Sequence, residues 1–316
     1  MNELLYIYEI YRQKSFSLAA KKLFVTQPAL SASVKKTEEK LGITIFNRSA
    51  APITLTEEGR VYMDYVERVL SETDNMKTRI SDISGLKTGS VAVCGESFVS
   101  SFILPEIIMR FTEKYPGIKT TLTELNSPDL LRLILSEQTD LLISHTFDRS
   151  LFDTESLFYE RILLAVPEGF AVNKKLAESA MTREQVLGCD FSDYDRKAVS
   201  VKNFRKEPFL LVKAGNDMNY RAAKIFGHAG ISPVCKMEFD QLITAYNSAC
   251  FGMGVAFCTD VLVKNTEQTG CVFYPVAGED TVREMLIGYK KNRYLSAAAS
   301  AFIKTAKECY KKENVL

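Results

Sequence analysis

The chain has 316 residues, 46% of them hydrophobic and 25% charged, with a formal net charge of +1. That length suits two or three domains and a core that needs no disulfide. No run approaches the roughly 18 apolar residues of a membrane span. His145 and His228 are the only histidines, so zinc binding and general-base chemistry have little to draw on.

Seven cysteines (94, 189, 235, 250, 258, 271 and 309) are scattered with no CxxC pair, the pattern of reduced, mostly buried thiols. The amino-terminal "MNELLYIYEIYRQ" is amphipathic, without the layout of a signal peptide. We expect a cytoplasmic, non-membrane protein that holds no metal and no cofactor and is not an enzyme. The charge is uneven: residues 1–60 hold nine Lys/Arg against six Asp/Glu, and the remainder 31 against 33. A basic head on a near-neutral body suits a small nucleic-acid reader joined to another module.

In chain order, Leu4, Ile7, Tyr8 and Tyr11 share one helix face and predict a helix over about residues 2–13. Ser17 is expected to cap a short second helix, in which Ala19 and Ala20 permit close backbone approach. Thr26 is expected to cap a third, with Pro28 in its first turn. Steps of 100° along the third gather Leu30, Val34, Thr37 and Leu41 into a buried stripe and leave Pro28, Ala32, Lys35, Lys36 and Glu39 outside. Gln27 then projects from the amino-terminal end, with Ser31 on the border. Two short helices around the tight turn "FVT" form a helix-turn-helix, whose second helix enters the major groove while lysines approach phosphates. "ITIFNRSAAPITLTEEG" predicts a two-stranded wing with Arg48 at its tip.

From residue 60, Tyr62, Val66, Val69, Thr73, Met76, Ile80 and Ile83 are spaced alternately by four and three, a heptad seam on one long helix that faces a partner chain. "SGLKTGS" supplies the helix end and linker. Beyond residue 90, strand-like runs ("SVAVC", "IKTTLTEL", "DLLIS") alternate with helical ones, and a second such cycle follows from "RILLAVP" onward. Parallel α/β units of this kind collect ligands beyond the carboxyl ends of their strands. Two similar halves with a cleft between them are the economical assembly.

The residues "SFSLAAKKLFVTQPALSASVKKTEEKLGITIFNR" with "ITLTEEG" follow the Ser-Phe, paired-alanine, Gln-Pro, Leu-Gly, Phe-x-Arg and Leu-Thr-x-x-Gly pattern of the LysR-type transcriptional regulators. "ILPEIIMRFTEKYPGIKTTLTEL", "HAGISP" and "SACFGMGVAF" resemble that family's effector domain. The resemblance implies an α/β fold class: a winged helix-turn-helix (1–59), a dimerisation helix (60–87), and a periplasmic-binding-protein-like effector domain (88–316). In the last, subdomain I would hold about 88–161 and 271–316, and subdomain II about 162–270. It further implies a homodimer or homotetramer on double-stranded operator DNA, a small-molecule effector, and RNA polymerase as a further partner.

Carried over by position, Gln27, Pro28 and Ser31 would meet base edges or nearby backbone, Ser33 and Lys35 phosphates, and Arg48 the minor groove. Ala32 stands where many members carry arginine, and "LNS" where many have Glu-Gly. Effector contacts would fall to Ser97, Ser100 and Ser101; to Asn126 and Ser127; to His145 beside Ser144 and Thr146; and to Phe204, Arg205 and Phe251. Hydroxyls and free N–H groups near Ser100 suit an anionic metabolite. Two alternatives remain at this point. One is redox sensing through Cys250 and Cys258, as in peroxide-sensing members of the family. The other is a ligand-binding protein or enzyme on the same fold without a DNA role.

Overall fold

The computed structural model describes residues 2–49, 52–83, 88–125, 139–291 and 293–311. The chain divides into two compact units, residues 1–83 and 84–316.

The first unit contains α1 (Asn2–Gln13), α2 (Phe16–Lys22), α3 (Gln27–Leu41), the strands β1 (Phe46–Asn47) and β2 (Thr54–Leu55), and α4 (Glu57–Ile83). Ile7, Ile10, Ala19, Ala20, Leu30 and Val34 close its core, together with Ile45, Phe46, Met63 and Val66. The cap of α2 is Ser15, not Ser17: its hydroxyl accepts the Leu18 N–H, and Phe16 becomes the first helical residue, buried beneath the wing. Thr26 caps α3 by accepting the Ala29 N–H at 3.4 Å, and Pro28 sits in the first turn. Leu30, Val34 and Thr37 are buried as the periodicity predicts, but Leu41 is 45% exposed and Glu38 takes its place inside. The exchange follows from the wing, which crosses α3 at Glu38. That carboxylate accepts the Ile45 and Phe46 N–H groups at 2.8 and 3.4 Å.

Thr56 starts α4 by accepting the Gly59 N–H at 2.9 Å. A Cβ on Gly59 would lie 2.0 Å from the Ile45 carbonyl oxygen, so the wing sits on α4 only because this position is bare. The expected seam on α4 is corrected at its start. Val66 is fully buried in this unit's own core and Tyr62 packs against the same cluster, whereas Met76, Ile80 and Ile83 are 53, 60 and 86% exposed. Val69 and Thr73, between them, are half-buried.

The second unit has two lobes. In the first lobe β3 (Gly89–Glu96) lies parallel to β4 (Ile118–Leu125) and to β5 (Leu141–Ser144). A π-helical turn (Val99–Ile103) and α5 (Leu104–Lys114) follow β3. Strand β6 (Phe152–Pro167) then leaves for the second lobe, followed by α6 (Val172–Lys175), α7 (Arg183–Gly188) and α8 (Phe191–Lys197). There β7 (Pro208–Val212) lies parallel to β8 (Val234–Phe239) and to β9 (Val255–Thr259), with α9 (Asp217–Ala229), α10 (Leu242–Cys250) and α11 (Asp260–Lys264). After β10 (Cys271–Pro275), β11 (Val282–Lys290) returns to the first lobe and α12 (Ala297–Cys309) covers it.

Each lobe has its own apolar core. Strands β5 and β9 are buried along their whole length, as parallel strands covered on both faces are. β6 runs well beyond the expected "RILLAVP". Its first part pairs with β11 and its last part with β9 and β10, so one continuous strand belongs to both lobes. β10 pairs with residues 163–167 and packs in the second core, which puts the return crossing after Pro275 and not at residue 271. The helix expected to begin at Ser127 lies outside the described residues.

Arg283 and Glu160 face each other across the two crossing strands as register partners. Glu160 is fully buried and Arg283 is 4% exposed; the guanidinium grips the carboxylate through Nε at 2.7 Å and through Nη2. Burial by itself would raise the Glu160 carboxyl, but Arg283 and then His145 outweigh it and hold the group down at about 2.

Two outcomes follow from this packing. Gly59→Ala should lower the stability of the first unit by about 1–3 kcal/mol, the usual cost of forcing atoms into a filled space, measured by thermal denaturation. Because the Glu160 carboxyl is depressed on folding, its contribution is complete above its ordinary value of 4.5 and is lost as pH falls through about 2. The unfolding free energy of the second unit should therefore fall across that window by roughly 3 kcal/mol in all, read by chemical denaturation, and Glu160→Gln should remove this part of the acid dependence.

Candidate nucleic-acid interface and effector cleft

The exposed face of α3 carries Gln27, Pro28, Ala29, Ala32, Lys35 and Lys36. Lys35 makes only a solvent-exposed pair with Glu39 at 3.6 Å, weak enough to leave it available for phosphate. Ser33 is half-buried, and its carbonyl accepts the Thr37 hydroxyl at 3.2 Å. Arg48 is not extended from the wing tip as expected. Its guanidinium folds back onto α3, 2.8 Å from the Glu38 carboxylate and 3.4 Å from the Ser31 hydroxyl, and lies 5.2 Å from the centroid of the Phe16 ring. The buried, acceptor-rich Glu38 draws it there, so Ser31 and Arg48 form one surface. Nothing in the apolar periodicity of α3 marks Glu38 for this role.

In the second unit the parallel strands fix where a ligand can collect. β3 and β5 end at Glu96 and Ser144, and β7, β8 and β9 end at Val212, Phe239 and Thr259. Ser97, Ser100 and Ser101 follow β3, and His145 follows β5. Ser97 donates to the Glu124 carboxylate. Ser100 is buried and donates to the Gly95 carbonyl at 3.0 Å, inside the π-helical turn, whose start has no side-chain cap. Ser101 is exposed. Asn126 and Ser127 lie outside the described residues.

The residues expected to face them from the second lobe are corrected. Phe204 is fully buried in the second core, its ring 5.3 Å from that of Tyr274. Arg205 is exposed, and Phe251 is 83% exposed. All three precede the amino ends of β7 or β9, the wrong ends of a parallel sheet for a ligand. The carboxyl end of β7 leads instead to Lys213, Asn216 and Asp217. Asn216 caps α9 by accepting the Met218 N–H at 2.9 Å, which leaves the Asp217 carboxylate free for other partners.

Those partners join the lobes. Asp217 Oδ2 lies 2.9 Å from Arg221 Nε and 3.3 Å from Arg283 Nη1. Arg283 holds Glu160, and Glu160 Oε1 meets His145 Nε2 at 2.5 Å. A chain of ionisable groups thus runs from the end of β5, through both crossing strands, to the start of α9. Of its members, only His145 stands among the site residues that the sequence suggests; Asp217 reads there as the cap of α9, a place that Asn216 takes, and the others match no motif spacing.

The cysteines give a different pattern from the expected pair. Cys258 is fully buried on β9, where burial pushes its thiol well above the usual range, and the thiol in contact with Cys250 is that of Cys271. Among the described residues no group of three or more His, Cys, Asp or Glu could hold a metal ion, and no helix is long and apolar enough to cross a membrane.

Comparison with known proteins fits this architecture. Residues 1–60 match the model of the bacterial regulatory helix-turn-helix proteins of the lysR family, and residues 84–310 match the LysR substrate binding domain. The chain is 26% identical over 316 residues to YcgK of Bacillus subtilis (strain 168), described as an uncharacterized HTH-type transcriptional regulator, covering 97% of this chain and 93% of that one. It is 25% identical over 301 residues to YybE of the same organism, described in the same way, covering 95% of each. Among solved structures, full-length OxyR from Pseudomonas aeruginosa superposes with a TM-score of 0.69 at 19% identity, covering 98% of this chain and 93% of that one. CbnR complexed with its target DNA superposes with a TM-score of 0.60 at 18% identity, covering 97% and 98%. These structural likenesses extend to the fold; the family-model matches, spanning most of the chain, carry the assignment. The chain belongs to the LysR family of DNA-binding transcriptional regulators, with a helix-turn-helix head and an effector-binding domain.

Proposed function

We propose that this regulator reads an interrupted palindrome as a homodimer or homotetramer and is switched by a small anionic metabolite held between the two lobes. Gln27, Pro28 and Ser31 approach base edges, Ser33 and Lys35 meet phosphates, and Arg48, braced by Glu38, supports Ser31 from the side. The observation that carries the effector reading is the Arg283 guanidinium. It is nearly enclosed between the lobes and firmly bound to Glu160 on one side, and it meets Asp217 on the other at the longer distance of 3.3 Å. A ligand carboxylate can take the place of Asp217 there with bidentate geometry. His145 and the hydroxyls of Ser97 and Ser101 stand on the first-lobe side. Release of Asp217 removes one of the ties of α9 to β11, leaving those of Arg221 to the Asp280 and Val282 carbonyls, and the resulting change of lobe angle is what the DNA-bound assembly transmits to RNA polymerase.

Pairing of chains is supported by α4, whose Met76, Ile80 and Ile83 are exposed apolar residues on one helix. Such a row costs solubility unless another surface covers it.

On a duplex from upstream of its own gene, log K should fall linearly with log salt, reporting phosphate contacts; a flat response removes the DNA-reading role. Gln27→Ala should reduce discrimination between that duplex and random DNA by about 1–3 kcal/mol without changing the thermal midpoint, since Gln27 is exposed. Ile80→Asp should shift sedimentation towards the monomer while the head keeps its fold; normal sedimentation would refute the paired-helix reading.

A further inference from the structure

α2 ends in the two-bond pattern of a Schellman motif. The Val25 N–H donates to the Ala20 carbonyl at 3.0 Å, and the Phe24 N–H donates to the Lys21 carbonyl at 3.3 Å. Three other helices close in the same way. Ile43 and Gly42 donate to Glu38 and Glu39 at the end of α3; Ile231 and Gly230 donate to Phe226 and Gly227 at the end of α9; Met253 and Gly252 donate to Ser248 and Ala249 at the end of α10. In those three the left-handed position holds glycine, with φ of 67, 63 and 84°. In α2 it holds Phe24, at φ 56°.

A Cβ in the left-handed region clashes with the following carbonyl, which disfavours this backbone for any side chain larger than that of glycine. Phe24 does not offset this by packing, because its side chain is 96% exposed. The head therefore carries both backbone strain and a fully hydrated aromatic ring at one position, and neither contributes to its own fold. An observed strain of this kind, at a surface where something binds, is a reason to look for a role in binding.

The surroundings name the partner. Phe24 is two residues before Thr26, the cap of α3, and three before Gln27, so it belongs to the turn that delivers the first turn of the reading helix. Lys21, Thr26, Gln27 and Pro28 around it are exposed, as is Lys22, whose ammonium lies 2.7 Å from the Glu9 carboxylate. When the amino end of α3 enters a major groove, the turn before it lies over the groove's rim. The rim offers phosphates to the lysines and the C–H faces of deoxyribose to an apolar ring.

We propose that Phe24 is a DNA-contact residue whose ring packs on deoxyribose at the rim of the major groove. This rests on the DNA-reading role assigned above. The left-handed backbone throws the ring outward from the end of α2, and contact with the duplex removes it from water. Because the contact is apolar, it neutralises no phosphate and reads no base. It therefore strengthens binding to any duplex without changing the number of counterions released.

The test compares the full-length protein with Phe24→Asn, Phe24→Gly and Phe24→Tyr by fluorescence anisotropy over a range of salt concentrations. The probes are a random-sequence duplex and the duplex upstream of its own gene. Asparagine and glycine accept the left-handed backbone, so both variants should melt at or above the wild-type midpoint. They should lose about tenfold in affinity for both duplexes, the effect of exposing part of a phenylalanine, with the slope of log K against log salt unchanged. Phe24→Tyr should keep wild-type affinity. Affinity of the Asn and Gly variants within about twofold of wild type would overturn the proposal. So would a loss confined to one duplex, which indicates base reading; a reduced salt slope, which indicates a phosphate route; or a matching loss of thermal stability, which indicates packing. If wild type binds neither duplex, the DNA-reading role itself fails and the proposal falls with it.

Discussion

A carboxylate and a guanidinium facing each other across two antiparallel strands set the terms for the whole effector unit. Glu160 and Arg283 are buried, and neither is tolerable there without the other, since removing one partner of such a pair leaves an uncompensated charge in a poorly hydrated place. They sit on β6 and β11, the two strands that cross between the lobes, and so belong equally to both. The remaining contacts differ by side: His145 reaches the pair from the first lobe and Asp217 from the second. The pair is a fixed post to which each lobe is tied by one ionisable side chain. Of the two ties, the one through Asp217 is longer, and Asp217 is shared with Arg221.

The head applies the same device on a smaller scale. Glu38 is a buried acid whose oxygens take two wing N–H groups and the Arg48 guanidinium, so α3 and the wing move as one piece. That rigidity matters for a reader of base edges, because a site is only as specific as the positioning of its side chains. Glu38 fixes the wing and Phe24 faces outward at the opposite end of α3; between them lies the exposed row from Gln27 to Lys36.

Much of this was legible before the structure, and the reasons are local. Caps such as Thr26, the first-turn Pro28 and the spacing of Leu30 and Val34 act within a turn or two of helix, so they leave marks at short range. Ser15 and Ser17 are both competent caps, and the choice between them depended on Phe16 being drawn inward beneath the wing, a tertiary effect. The heptad count on α4 was correct as a pattern, yet Val66 serves the head's own core, because periodicity shows which face is apolar and not what covers it. The ionic chain between the lobes was the least legible part. It joins positions 145, 160, 217, 221 and 283, which only the topology brings together, and the polar residues in "FDTESLFYE" disguise the first half of β6. Analogy of position sets Phe204 and Phe251 at the cleft, whereas strand direction puts them before the amino ends of β7 and β9.

The burial of Met63 and Val66 against α1 and the wing also bears on modular reuse of the DNA reader. A cut made where the helix-turn-helix motif ends, near residue 60, would strip away two of the side chains that close its hydrophobic interior. To graft this reader onto a foreign sensor, the first three turns of the long helix have to travel with it. The joint then falls inside a continuous helix, so the splice has to keep its angular phase, counted in residues per turn.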